Sequence, residues 1–243
     1  MNRRNFIRIS GCALAAGLLS PGCAMNAQAP VPPASDLPVK PYNPCLLTHS
    51  QGEPWRAGTI EPRQTYFFFY PYAGTPVFLI NLGRPVSPVR AAGQDNDRSP
   101  GGIGGVGPQR SIVAFSAICH HQLSRPSPKS SAINYSPEAG LVAGAKDLIT
   151  CCAHNAVYDP AAGGRVVDGP GRSALTTVAL RYDPADDTLR ATGTAGIEVF
   201  ESFFREQKRD LIQEFGPGKA REEQKDAVRV MRFKDYTAEQ LMC

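Results

Sequence analysis

Two short stretches, Cys119-His120-His121 and Cys151-Cys152-Ala153-His154, hold the one cluster of soft metal ligands that the chain offers. Read as C-x-H followed by C-x-x-H, they supply two thiolates and two imidazoles. Such a set can make a tetrahedral structural zinc site, and the chain would then be a nonredox Cys2His2 binding module. Zinc fingers, however, place two ligands of one kind in each arm and finish with H-x-x-x-H. Here one Cys and one His occupy each arm, a division unlike that of zinc fingers.

The residues after the second arm sharpen this. Asn155-Ala156-Val157-Tyr158-Asp159 is followed by Gly163-Gly164-Arg165 and then by Gly169-Pro170-Gly171. With these, and with the mixed Cys/His arms, the chain resembles the Rieske [2Fe–2S] proteins. The resemblance implies that Cys119 and Cys151 bind the inner iron and His121 and His154 the outer, solvent-facing one. It also implies that the Gly169-Pro170 turn closes over the cluster and that Tyr158 donates to a ligand sulfur. High-potential members add a serine that donates to a bridging sulfide and two cysteines that staple the cluster loops. Those positions hold Ala156, Ser124 and Ala153, and Cys152 lies one place off the staple. The potential is therefore expected below the top of the family's range of roughly −150 to +300 mV. Arms in that family are separated by about half as many residues as the 122–150 gap, so Ser124 to Lys146 includes an insertion beside the cluster.

Four histidines bound the alternatives: His49, His120, His121 and His154. An oxygenase catalytic subunit of this family needs two more histidines and a carboxylate for a mononuclear iron. Only His49 and the crowded His120 remain, so that class is excluded. His120 itself is read as a surface residue without a role. The net charge of +4 is weak and diffuse, and no aromatic-basic repeat accompanies it, so nucleic acid is not an expected partner. Of seven cysteines, Cys12 and Cys23 lie in the leader, while Cys45 and Cys243 could pair in an oxidising compartment.

The elements that must position the arms are strands. Thr65–Tyr70 and Pro76–Leu82 are apolar and aromatic runs bounded by Gly or Pro. Ile112–Ile118 runs into Cys119 and Asp147–Thr150 into Cys151, so each arm is a loop on a strand end, as a preorganised metal site requires. Ser173–Val178, Ala179–Tyr182 and Thr188–Thr192 read as closing strands, with Pro184–Asp187 as a hairpin turn. Gly102-Ile-Gly104-Gly-Val-Gly107 has the letter pattern of a dinucleotide loop, but no strand precedes it immediately and Pro108 follows, so it reads as a flexible approach loop.

The expected organisation is a twin-arginine export signal over 1–29, a Pro-rich linker over 30–60, a Rieske domain over 61–196 and a helical C-terminal extension over 197–243. The fold class is all-β, an antiparallel Rieske-type domain with cluster-binding loops and that extension. Asn2-Arg3-Arg4-Asn5-Phe6-Ile7 carries the paired arginines, and the apolar stretch Ile9–Leu19 falls short of the roughly 20 residues of a membrane span. Leu19-Ser20-Pro21-Gly22-Cys23 approximates a lipoprotein box and Ala27-Gln28-Ala29 a cleavage site, so cleavage, lipidation and retention stay open. Phe200, Phe203, Phe204, Leu211, Ile212 and Phe215 recur at helical spacing until Gly216-Pro217, and a charged helical segment is expected from Lys219. The functional expectation is one-electron transfer in a periplasmic redox system. The partner is an oxidoreductase or a cytochrome, with an inner-membrane tether open. The alternative is the Rieske subunit of a quinol:cytochrome c oxidoreductase.

Overall fold

The apolar runs are long enough to be buried on both faces, and strand alternation sends their side chains to two cores. In the computed structural model, which describes residues 37–89, 102–140 and 144–243, one sheet has strands β1 (Val39–Thr48), β2 (Thr65–Phe69), β3 (Pro76–Asn81) and β4 (Ile112–Ser116). The chain then leaves it through β5 (Ser130–Ser131), β6 (Ile133–Ser136), β7 (Leu148–Cys151), β8 (Ala156–Asp159) and β9 (Arg165–Asp168). It returns with β10 (Thr177–Asp183) and β11 (Thr188–Ala195), then forms α1 (Phe200–Glu206) and α2 (Lys208–Phe215). The described chain ends with β12 (Ala227–Arg229), β13 (Met231–Arg232), α3 (Phe233–Tyr236) and β14 (Glu239–Gln240).

The larger sheet runs β12-β1-β11-β10-β4-β3-β2-β13, antiparallel except where β12 lies parallel to β1. The smaller runs β6-β7-β8-β9 and is antiparallel throughout. Phe67, Phe78, Ile80, Val113 and Phe115 face the core shared with Ile133, Ile149, Ala156 and Tyr158 of the smaller sheet. Tyr66, Phe68, Val77, Leu79, Ile112 and Ala114 face the other way, onto Leu47, Val178 and Leu189. Successive residues of β2, β3 and β4 thus alternate between two cores, as the period of two demands, and each strand buries apolar groups on both sides. A third cluster joins Phe200, Phe203, Phe204 and Leu211 to Ile118 and Leu123. The all-β expectation is met.

Several boundaries differ from the sequence expectation. The linker over 30–60 is corrected: β1 lies within the larger sheet, and Cys45 and Leu47 are fully buried. Proline is tolerated there because the register shifts between Pro41 and Cys45, the kind of irregularity at which a strand can lack an N–H donor. The glycine stretch is held by its backbone: Gly102 exchanges hydrogen bonds with Val89, Gly105 N donates to Val86 O, and Val106 bridges Ile112. The insertion supplies β5 and the edge strand β6. The single expected helix divides at Gln207, and Phe215 at the end of α2 meets Phe69 edge-on at 5.6 Å. From Lys219 only a 3-10 turn to Arg221 is helical before β12 and β13, because Val228 and Val230 alternate inward. Ser173–Thr176 precedes β10 as an irregular loop. The expected export leader, with Cys12, Cys23 and the Pro30–Pro33 prolines, lies outside the described residues, as do 90–101 and 141–143. No described helix is long and apolar enough to cross a membrane.

Candidate metal centre

The second arm is the turn of a hairpin. Cys151 pairs with Ala156 across β7 and β8, so residues 152–155 form the connection, and His154 N donates to Cys151 O at 3.3 Å. Asn155 closes it in the left-handed region, φ 59°, which asparagine tolerates better than most residues. Gly169 sits on this turn with φ 74°, and a side chain there would overlap the Asn155 carbonyl. The Gly169-Pro170 turn therefore rests on the second arm's own backbone.

The first arm continues from β4 through the buried pair Ala117-Ile118. Cys119 N donates to Ser124 O and Leu123 N to Cys119 O, each at 2.9 Å, which folds 119–124 into a compact loop. Ile118 and Leu123 dock this loop on α1 and α2.

The two arms bring the four expected ligand residues together as two pairs. Cys119 and Cys151 are free thiols in the same buried cluster of the shared core, both essentially inaccessible. Tyr158 OH lies 3.3 Å from Cys119 Sγ. The Cys119 thiol is lowered to about 6, first by the neighbouring Cys151 thiol and against the opposing effect of burial, with further help from Tyr158 and the amides of His121 and Gln122. Cys151 moves up, because it is the partner that keeps its proton, and because it is buried. Burial and the adjacent Cys119 raise Tyr158. The pocket thus favours a negative sulfur at Cys119 and keeps the tyrosine a donor.

Outside this pair, the rings of His121 and His154 meet edge-on, 4.8 Å between centroids and 85° between planes. His154 is exposed, whereas His121 Nδ1 is buried and has no hydrogen-bond partner. An orphaned buried nitrogen costs about 1–3 kcal/mol unless something binds it. Among the described residues no three His, Cys, Asp or Glu side chains converge as one ion would require. A cavity of about 580 Å³ opens beside His121, walled by Gln122, Arg172, Ser173, Ile197 and Glu206.

His120 is corrected from a surface residue to a buried one, 3% exposed. Its Nδ1 lies 2.7 Å from Ser173 Oγ, and its Nε2 lies 3.4 Å from Thr176 N and 3.2 Å from Thr176 Oγ1. The Thr176 N–H donates to Nε2, so the proton sits on Nδ1 and points to Ser173. Burial lowers its pKa to about 4, keeping the ring neutral. His120 therefore ties the first arm to the loop after Gly169-Pro170. Nothing in the local sequence marks Ser173 or Thr176 as its partners.

The cysteine pairing also differs. Cys243 is bonded to Cys152 and not to Cys45, the pairing that the sequence suggested. Cys45 remains a buried free thiol against Asn43 O, pushed up to about 11 by burial. The staple positions Ser124 and Ala153 carry no thiol; Ser124 contributes its carbonyl to Cys119 instead. Adjacency of Cys152 to a ligand candidate was the available signal, but no sequence rule says which distant cysteine it meets.

No family model matches the chain. Among solved structures, it is similar to the soluble domain of the Rieske protein II (soxF) from Sulfolobus acidocaldarius, with 27% identity over 63% of this chain and 78% of that one, at a TM-score of 0.44.

Proposed function

We propose that the chain is a one-electron carrier whose pocket takes a Rieske-type [2Fe–2S] cluster. Cys119 and Cys151 would hold the inner iron and His121 and His154 the outer. The observation that carries this is the paired arrangement: two buried free thiols in one core cluster, then two imidazoles at the surface, one of them with a buried nitrogen that has no protein partner. Such a cluster supplies reversible one-electron transfer and breaks no substrate bond. The chain's own residues tune and shield it. Tyr158 donates toward Cys119, the shared core excludes water from the sulfurs, and the Gly169-Pro170 turn and His120 brace the arms. His154 is the exposed edge through which a redox protein would approach. Iron and zinc analysis together with electron paramagnetic resonance of the dithionite-reduced protein tests the reading. A rhombic [2Fe–2S] signal and two irons per chain are expected; one zinc and no iron would end it.

The compartment belongs to the same proposal. The twin-arginine leader supports export of the folded, cluster-loaded protein to the periplasm, and the Cys152–Cys243 disulfide suits an oxidising compartment. The partner would be a periplasmic oxidoreductase or cytochrome, with an anchor through the leader or a lipid. Replacing Arg3→Lys together with Arg4→Lys should leave the protein in the cytoplasm, and undiminished export of that variant would refute the route.

A further inference from the structure

The last described residues cross the end of the smaller sheet and return to the second arm. Ala238 N donates to Pro128 O at 2.9 Å, and Glu239 and Gln240 pair with Ser130 and Ser131. Leu241 N donates to Ser131 O at 2.9 Å, and Asn134 Nδ2 donates to Leu241 O at 2.7 Å. Cys243 then bonds covalently to Cys152, with the Cα atoms 5.6 Å apart. Cys152 N in turn donates to Ala132 O at 2.7 Å. Cys152 follows the thiol Cys151 directly and precedes His154 by two residues, within a turn of four.

We infer that residues 238–243 are a strap, and that Cys152 and Cys243 are positioning residues which hold the second arm where His154 meets His121. A hairpin turn is the part of a sheet most free to fray. Here the inner side of the turn is fixed by strand pairing and the outer side by a covalent bond to a segment itself stitched to 130–134. The disulfide therefore acts on the position of the arm as well as on chain entropy. Its bearing on cluster retention rests on the function proposed above; its bearing on the arm does not.

The test uses the full chain with Cys152→Ser, Cys243→Ser and the double variant. Amide hydrogen exchange is followed by mass spectrometry over 130–134, 150–157 and, as control, β2–β3. Exchange in the first two segments should rise at least about tenfold, equally in all three variants because they break one bond, with the control unchanged. In iron-loaded protein the cluster should pass to a chelator at least about tenfold faster, with a broadened resonance signal. Unchanged exchange over 150–157 would overturn the strap, and so would an equal rise in the control segment. If the variants do not fold, wild-type protein reduced with a water-soluble phosphine replaces them: the phosphine becomes its oxide, a water supplies the oxygen and two protons, and two thiols result. A wild-type chain without iron would remove the proposed function and leave the exchange experiment to decide the strap.

Discussion

Tyr158 and Ala156 lie beside the inner pair of candidate ligands, Tyr158 against Cys119 and Ala156 across the hairpin from Cys151. The Tyr158 hydroxyl points at Cys119 Sγ, and a donor on a sulfur favours the reduced, more negative state. About 1 kcal/mol of such preference corresponds to roughly 45 mV for one electron. Tyr158→Phe should therefore lower the midpoint potential by tens of millivolts. Ala156→Ser, which adds a donor at a fully buried position, should raise it. Voltammetry of the two variants in parallel checks both signs, and movement in the same direction would contradict the tuning argument. Gly169 gives a third prediction. Its left-handed φ and its contact with the Asn155 carbonyl leave no space for a methyl group, so Gly169→Ala should lower unfolding stability by about 2 kcal/mol, read from urea melts. At this scale the four ligand candidates were legible because each arm is contiguous. The surroundings were not: the partners of His120 lie 53 and 56 residues away and that of Cys152 lies 91 away. No local spacing encodes such meetings.

Beside the apolar contacts of Ile118 and Leu123, a shielded ion pair links the first arm to the helices. Arg125, one residue beyond Ser124, has an 8% exposed side chain and meets Glu214 of α2 at 2.8 Å, while Tyr236 of α3 donates to the other carboxylate oxygen at 2.8 Å. Removing one charge leaves the other buried without compensation. Glu214→Gln should thus cost about 2 kcal/mol and shift the urea midpoint down, whereas Glu222→Gln, at an exposed pair, should leave it unchanged within about 0.5 kcal/mol. An equal effect of the two would show that the pair does not anchor α2. The elements themselves divide by signal. β2, β3 and β4 were legible because their apolar runs are continuous, which burial on both faces requires. β1 was masked by its prolines, whose missing donors fall where the register shifts. β12 and β13 were masked by flanking charges around two inward valines. The helix break at Gln207 leaves no mark in the apolar spacing, since Phe204 and Leu211 stand seven residues apart in one helix or in two.

Seen whole, the path of the chain has a junction. Ser116 N donates to Thr176 O at 2.8 Å, and Thr177 pairs with Phe115, so β10 resumes beside the strand that β4 had just left. Everything between, including both arms and the smaller sheet, is a side branch that departs from and rejoins the larger sheet at adjacent points. The length of a branch is not constrained by the sheet that carries it. Four Gly/Ser residues inserted after Gly144, where the surroundings are open, should therefore cost no more than about 0.6 kcal/mol, measured by thermal unfolding, and should leave the iron content unchanged. One residue inserted between Cys119 and His121 should abolish iron binding, since it would carry His121 away from His154 and disturb the seat of His120. Two rulers thus operate on one chain, a loose one between the arms and a strict one within each. The long 122–150 interval yields to the loose ruler at its Gly144 loop, where it can grow without altering the C-x-H and C-x-x-H arms.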